Sequence, residues 1–198
     1  MTANQQLQNY IDNIPEGQPF TANAFRHLAS IENSWQVLSR LTKAGEIKRL
    51  MRGIYVKPKI SAHVGEIMPS AQQIVTAIAQ TTGETVAIHG AEAARQLQLT
   101  TQVPMQSIFY TTGNTRQINI GNRCVTLQHI SARKIIAPGT IAGTVITALW
   151  YIGKKHATLE IIKSLKKRLT TEEFATVLEN IPHMPGWMAS LFYKLSTM

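Results

Sequence analysis

The chain has 198 residues, of which 44% are hydrophobic and 16% charged, and this composition excludes a largely disordered protein because an ordinary core can be buried. Its formal net charge of +9 favours a polyanionic partner. Cys124 is the only cysteine, which excludes an intrachain disulfide and a multi-cysteine zinc site. Asp12 is the only aspartate and the glutamates are scattered, so the carboxylate cluster of a two-metal nuclease or polymerase is missing.

The first 60 residues are predicted to hold three short helices followed by a basic hairpin. Gly45 is the expected end of the third helix, and Gly53 permits the tight turn of the hairpin. This order is typical of a winged helix-turn-helix domain. The predicted elements are helices at about 4–14, 21–29 (capped by Thr21) and 34–44, and strands at 46–50 and 54–57.

The remainder of the chain mixes helices with short strands. Residues 61–69 show no periodicity and are predicted to be a linker, and Ser70 is expected to cap the helix after it. The GNT and GN segments (113–115 and 121–122) predict hairpin turns. Helices are predicted at 70–82, 91–97, 140–152, 158–169, 171–180 and 186–196, and strands at 85–88, 107–112, 116–120 and 124–130.

We therefore expect an α+β fold with a winged helix-turn-helix domain at 1–60, a linker at 61–69 and a mixed α/β domain at 70–198. The second domain is predicted to combine a small antiparallel sheet with a helical C-terminal part. No secretory signal is recognisable, and the longest apolar stretch, 141–152, is shorter than the ~20 residues that span a bilayer. A cytoplasmic protein without a membrane partner is expected.

The third helix and the hairpin are predicted to form a DNA-binding surface. If Val37, Leu38, Leu41 and Ala44 face the core, the polar residues of the helix project from its opposite side, where they can reach base edges or phosphates in a major groove. Six of the eight Lys and Arg residues in the first 60 lie between positions 40 and 57, and Glu46 is the only acidic residue expected near them. The candidate DNA-binding residues are Gln36, Ser39, Arg40, Lys43, Lys48, Arg49, Arg52 and Lys57.

Two other interpretations of this surface stay open. Basic residues on an exposed helix and hairpin are often only a solvated face, and winged helices also bind proteins. Trp35 lies on the same side of the helix, but a tryptophan more often packs against a core than stacks on a base.

The segment SWQVLSRLTKAGEIKRLMRGIYVKP (34–58) resembles the N-terminal winged helix of AbiEi-type antitoxins from bacterial type IV toxin–antitoxin systems. There, a helix with a Leu-x-x-Leu pattern and a glycine precedes a basic hairpin that closes on Arg-Gly-x-Tyr. The segments VAIHGAEAARQLQLTTQVP (86–104) and YTTGNTRQINIGN (110–122) resemble the second domain of this group. The similarity thus spans most of the chain.

This resemblance implies a repressor that binds operator inverted repeats in double-stranded DNA upstream of its own operon. It also implies that the second domain counters a nucleotidyltransferase-like toxin without a stable complex. An orphan regulator of the same fold is the alternative.

Three further patterns have weaker functional interpretations. The segment 154–169 is rich in Lys and Arg, and it is either a solubilising helix face or a second polyanion contact through Lys163, Lys166, Lys167 and Arg168. His89-Gly90 is predicted to pack closely at a strand-to-helix turn, with anion binding as the alternative. Pro185-Gly186-Trp187 is predicted to begin a helix with a core tryptophan. No catalytic motif, metal-ligand spacing or cofactor loop is found, so neither an enzyme, a cofactor nor a small-molecule substrate is expected.

Overall fold

The structure, a computed structural model, describes residues 3–120 and 123–196 and has an α+β fold, as predicted. The helices are α1 Ala3–Asp12, α2 Ile31–Ala44, α3 Ala71–Thr82, α4 Gly90–Gln96, α5 Ile141–Ile152, α6 Leu159–Arg168, α7 Thr171–Glu179 and α8 Gly186–Ser196. The strands are β1 Pro19–Thr21, β2 Lys48–Met51, β3 Ile54–Val56, β4 Lys59–Ser61, β5 Gly65–Ile67, β6 Val86–Ile88, β7 Ser107–Thr111, β8 Arg116–Ile120 and β9 Arg123–His129.

Two compact units make up the chain. The first comprises Met1–Glu84 and Asn119–Arg123, and the second comprises Thr85–Ile118 and Cys124–Met198. Helix α3 packs against β1 and belongs to the first unit, although it was predicted to begin the second domain, 70–198.

The first unit is built on α1, α2 and a three-stranded antiparallel sheet of order β1-β3-β2. Helix α2 begins where the Ser30 hydroxyl accepts a hydrogen bond from the Asn33 amide (3.3 Å), and it ends at Gly45, whose φ of +78° is left-handed. Side chains from α1, β1 and α2 share one buried cluster. Its members are Leu7, Ile11, Phe20, Phe25, Val37, Leu38, Leu41 and Ile47.

Two details of the predicted helices are wrong in this unit. The helix expected at 21–29 is a single 3₁₀ turn, Ala22–Phe25, because Thr21 belongs to β1 and its hydroxyl forms no capping bond. Ala44, expected in the core, is exposed, because it is the last residue of α2 before the chain turns at Gly45.

Residues 61–69, predicted to be a linker, contain β5 and the end of β4. These strands form an antiparallel pair in which Lys59 lies opposite Ile67 and Ser61 opposite Gly65. The Ser70 cap is confirmed: Ser70 and Gln73 form a reciprocal capping box at the start of α3.

The second unit contains a four-stranded sheet of order β6-β7-β9-β8. Strands β6 and β7 are antiparallel, but β7 and β9 are parallel, so the sheet is mixed rather than antiparallel as predicted. The predicted hairpin at 113–115 is also wrong, because β9 separates β7 from β8. Val125 and Leu127 of β9 are fully buried, which accounts for its central place. The GN turn at 121–122 lies outside the described residues.

The helices of the second unit enclose its core, in which α5 packs against α4 and α7. The predicted bounds of α5 to α8 are confirmed to within about a residue at most ends. Gly143 interrupts the apolar stretch of α5 because a Cβ there would lie 2.1 Å from the Ala137 carbonyl oxygen. None of the helices that the structure describes is long and apolar enough to cross a membrane.

Candidate nucleic-acid interface

Helix α2 has one buried and one exposed side, as its sequence predicts. Ser34, Val37, Leu38 and Leu41 are buried. With 3.6 residues per turn, the residues on the other side project away from the core. Trp35, Gln36, Ser39, Arg40 and Lys43 are all exposed there, and we call these five residues the α2 face.

The β2–β3 hairpin follows α2 almost at once. Lys48 and Arg49 are exposed on β2, and Arg52 is exposed at the turn, where Gly53 has a φ of +79°. The pairing register of β2 with β3 shifts between Arg49 and Met51. Arg49 Nε donates to the Met51 carbonyl oxygen at 3.4 Å, a long bond that leaves most of its guanidinium available.

Two predicted DNA-binding lysines have partners within the protein. Lys48 Nζ lies 2.8 and 3.0 Å from the two carboxylate oxygens of Glu66 on β5. Lys57 Nζ donates to the backbone carbonyl oxygen of Asp12 at 2.9 Å. The expectation that Glu46 is the only nearby acid is therefore wrong. Glu66 was missed because it lies 18 residues from Lys48, in a segment interpreted as a linker.

Arg40, Lys43 and Arg52 differ from these lysines. Within residues 3–120 and 123–196, none of these three side chains forms an ion pair or hydrogen bond. Their charges are therefore not neutralised by the described part of the chain. Together with Arg49, they give α2 and the hairpin four cations that a partner can contact.

Glu32 also belongs to this surface, although it is not among the predicted DNA-binding residues. It is exposed in the first turn of α2, where a carboxylate is favourable to the positive end of the helix dipole. It lies four residues before Gln36, so both project from the same side of the helix. Helical spacing alone would have placed it there.

The basic residues of the segment 154–169 differ in their surroundings. Lys163, Lys166 and Lys167 are exposed on α6, opposite the buried Ile162 and Leu165. Arg168 Nη1 donates to the carbonyl oxygen of Leu97 at 2.8 Å and also to that of Gln98. Arg168 thus binds the carbonyl end of α4, where a cation satisfies acceptors that the helix leaves unpaired.

His89 and Gly90 form a tightly packed turn between β6 and α4. His89 Nδ1 accepts a hydrogen bond from the Ala91 amide (3.3 Å), and its ring centre lies 4.8 Å from that of Tyr110. A Cβ at position 90 would lie 2.4 Å from Tyr151 Cβ, so the predicted packing role of this turn is confirmed. Burial lowers the pKa of His89 and raises the pKa of Tyr110.

Trp187 packs against the core at the start of a helix, as predicted. Helix α8 begins at Gly186, and Trp187 packs edge-on against Trp150 with ring centres 5.9 Å apart. In the described ranges, no group of three or more His, Cys, Asp and Glu side chains is arranged to hold a metal ion.

The sequence belongs to DUF6088, a family of unknown function, with the match extending over residues 6–177. No curated protein matches the chain. The family assignment includes the α2 face, the hairpin and most of the second unit.

Proposed function

We propose that this DUF6088 protein is a DNA-binding transcriptional autorepressor whose N-terminal elements form a winged helix-turn-helix. In this proposal α2 is the recognition helix and the β2–β3 hairpin is the wing. The observation that carries it is the α2 face: Gln36, Ser39, Arg40 and Lys43 are exposed together, opposite a fully packed side. The unpaired Arg52 and the exposed Arg49 follow directly on the hairpin.

The chemistry of the α2 face suits a duplex. A major groove admits an α-helix, an Arg guanidinium can bond in bidentate fashion to guanine, and a Gln amide to adenine. Arg40 and Lys43 can instead contact phosphates, which position a helix without reading sequence. Arg49 and Arg52 are proposed to contact the phosphate backbone beside the groove.

Lys48 and Lys57 have a smaller part in this proposal than the sequence suggested. An exposed ion pair is worth about 1 kcal/mol or less, so Lys48 can exchange Glu66 for a phosphate at low cost. Lys57 is half-buried and bonded to the Asp12 carbonyl, so we assign it to the structure of the domain.

We further propose that the protein is an antitoxin without enzymatic activity, acting in a type IV toxin–antitoxin system in the cytoplasm. The support is the resemblance of residues 34–58, 86–104 and 110–122 to AbiEi-type antitoxins. An adjacent reading frame for a nucleotidyltransferase-like toxin, whose growth arrest is relieved by this protein, is the expected finding. If no such frame exists, an orphan regulator of the same fold is favoured.

DNA binding is tested by fluorescence anisotropy with a labelled duplex from upstream of the reading frame, titrated at several salt concentrations. Arg40→Ala and Arg49→Ala should each weaken binding and reduce the log–log salt slope by about 0.9, the effect of one lost phosphate contact. Lys154→Ala, which removes an exposed lysine of the second unit, is the control. Wild-type affinity of both arginine variants at every salt concentration would refute this interface.

One observation favours a second candidate function, a winged helix that binds protein. Trp35 is 61% exposed, and exposed tryptophans are frequent anchors of protein interfaces. This candidate predicts a salt-insensitive complex with a neighbour-encoded protein and no shift of upstream DNA.

A further inference from the structure

Two large apolar residues lie exposed on α2, one turn apart. Ile31 is 45% exposed and Trp35 is 61% exposed, and their i, i+4 spacing places the two side chains next to each other. An amphipathic helix normally buries such residues. Here the core of the first unit is formed by the other side of α2, through Val37, Leu38 and Leu41.

Neither side chain has an evident structural role. Trp35 makes no aromatic or cation–π contact within the described ranges. Tyr10, also partly exposed, differs because its ring packs edge-on against Phe25 at 5.4 Å. Ile31 and Trp35 are therefore available to a partner through the exposed part of each side chain.

The charges beside this apolar pair indicate what the partner is. Gln36 and Lys43 are exposed within about 100° of Trp35 around the axis of α2, and Arg40 follows one turn after Gln36. Neither cation has an acid partner in the described residues. A surface that combines unpaired cations with an apolar pair complements a polyanion that offers an apolar group. In a major groove that group is the thymine C5-methyl, which apolar side chains contact.

We propose that Trp35 and Ile31 read the C5-methyl of thymine in the operator and so determine specificity. This inference rests on the proposed function, because it places α2 in a major groove. Within that groove Arg40 and Lys43 supply affinity for any duplex, whereas Trp35 and Ile31 distinguish thymine from bases without the methyl group. The N-terminal half of α2, where both residues lie, is the part that approaches base edges in such helices.

The test removes single methyl groups from the DNA. A duplex is first selected from a random pool by the wild-type chain, and each thymine is then replaced in turn by deoxyuridine, which lacks only the C5-methyl. Anisotropy is measured with the wild-type chain, Trp35→Ala, Ile31→Ala and Arg40→Ala. Thermal melting by circular dichroism checks that the exposed substitutions leave the fold intact.

Loss of one methyl contact should weaken wild-type binding about fourfold at one or more thymines, the value of burying one methyl group. Trp35→Ala should lose the methyl effect at the thymine that Trp35 contacts and keep the wild-type salt slope. Arg40→Ala should keep the methyl discrimination but lose about 0.9 of the slope.

The inference is overturned if no thymine shows a methyl effect with the wild-type chain, or if Trp35→Ala and Ile31→Ala both retain that effect. In either case, the proposed DNA binding still stands if wild-type binding depends on salt and Arg40→Ala reduces the salt slope. If no duplex is enriched and Trp35→Ala instead abolishes self-association or capture of a protein, both the inference and the proposed function fail.

Discussion

The two units of the chain differ in what several of their polar residues contact. In the first unit, Arg40, Lys43 and Arg52 project from α2 and the hairpin without partners in the described chain. In the second unit, His89 caps α4 and Arg168 binds the carbonyl oxygens at its other end. A basic residue in the sequence can therefore either stabilise the fold or remain available to a partner. Only its contacts in the structure distinguish the two cases.

The two basic helices show the same contrast. The α2 face mixes cations with Trp35, Gln36 and Ser39, which can distinguish bases, whereas the exposed cations of α6 are all lysines until Arg168. Lysine is a point charge suited to phosphates, so the lysines of α6 can attract DNA without distinguishing its bases. On this basis, substitutions of Gly90, Arg168 and His89 in the second unit should change stability, and substitutions on the α2 face should change DNA binding.

The largest effect should come from Gly90→Ala in the second unit. The added Cβ would meet Tyr151 Cβ at 2.4 Å, and because a Cβ cannot rotate away from its backbone, we expect a loss of about 3 kcal/mol in the free energy of unfolding. Gly186→Ala is the matched control, because no atom lies within 4 Å of its Cβ. Urea denaturation measures both, and equal stability of the two variants would contradict the packing described for the turn.

Arg168→Gln should have the next largest effect on stability. It removes two bonds to the carbonyl end of α4, and since Arg168 is exposed we expect a loss of about 1 kcal/mol. Lys167→Gln removes the same charge from the neighbouring position and should leave stability unchanged. A similar midpoint for both in urea would show that Arg168 is only a surface charge.

The stability of the second unit should depend on pH through His89. Burial lowers the pKa of His89 below its ordinary 6.5, so the folded state binds a proton there less readily than the unfolded chain. Its contribution is complete above pH 6.5 and is lost as the pH falls through the lowered pKa. His89→Asn keeps a capping acceptor that does not titrate, so its stability should fall less between about pH 7 and pH 5 than that of the wild type.

The same pH series on His156→Asn, which replaces an exposed histidine, provides the control for His89. Chemical denaturation at each pH gives the free energy of unfolding. Parallel pH profiles for the wild type and His89→Asn would show that His89 is not the titrating group.

The smallest predicted effect concerns the ion pair between Lys48 and Glu66 in the first unit. Glu66→Gln releases Lys48 Nζ from its carboxylate, so DNA affinity should rise about two- to threefold and the salt slope should steepen by up to about 0.9. Glu16→Gln makes the same change in net charge elsewhere in this unit and should have less effect. Equal gains from both variants would indicate a general charge effect rather than release of Lys48.

The sequence predicts local features of this protein well. The capping box at Ser70 and the stop at Gly45 depend on residues within a few positions, and both are present. The exposed side of α2 follows from helical periodicity alone. The exposed side of α2 makes up most of the candidate interface.

Features that depend on distant residues could not be predicted in this way. Strand β1 pairs with β3 more than 30 residues later, and β9 inserts beside β7 because Val125 and Leu127 are buried there. The partners of Lys48, Lys57 and Arg168 likewise lie 18, 45 and about 70 residues away. Tertiary packing determines which of these distant residues meet, and local sequence patterns do not predict it.

The central claim, that the α2 face binds DNA, is tested most directly by two matched double variants. Arg40→Ala/Lys43→Ala and Lys166→Ala/Lys167→Ala each remove two exposed positive charges, and anisotropy with the selected duplex is measured over a salt series. We expect the α2 variant to lose at least tenfold in affinity and about 1.8 in log–log slope, with the α6 variant within about twofold of the wild type. Equal losses in the two variants, or a loss confined to the α6 variant, would contradict the account.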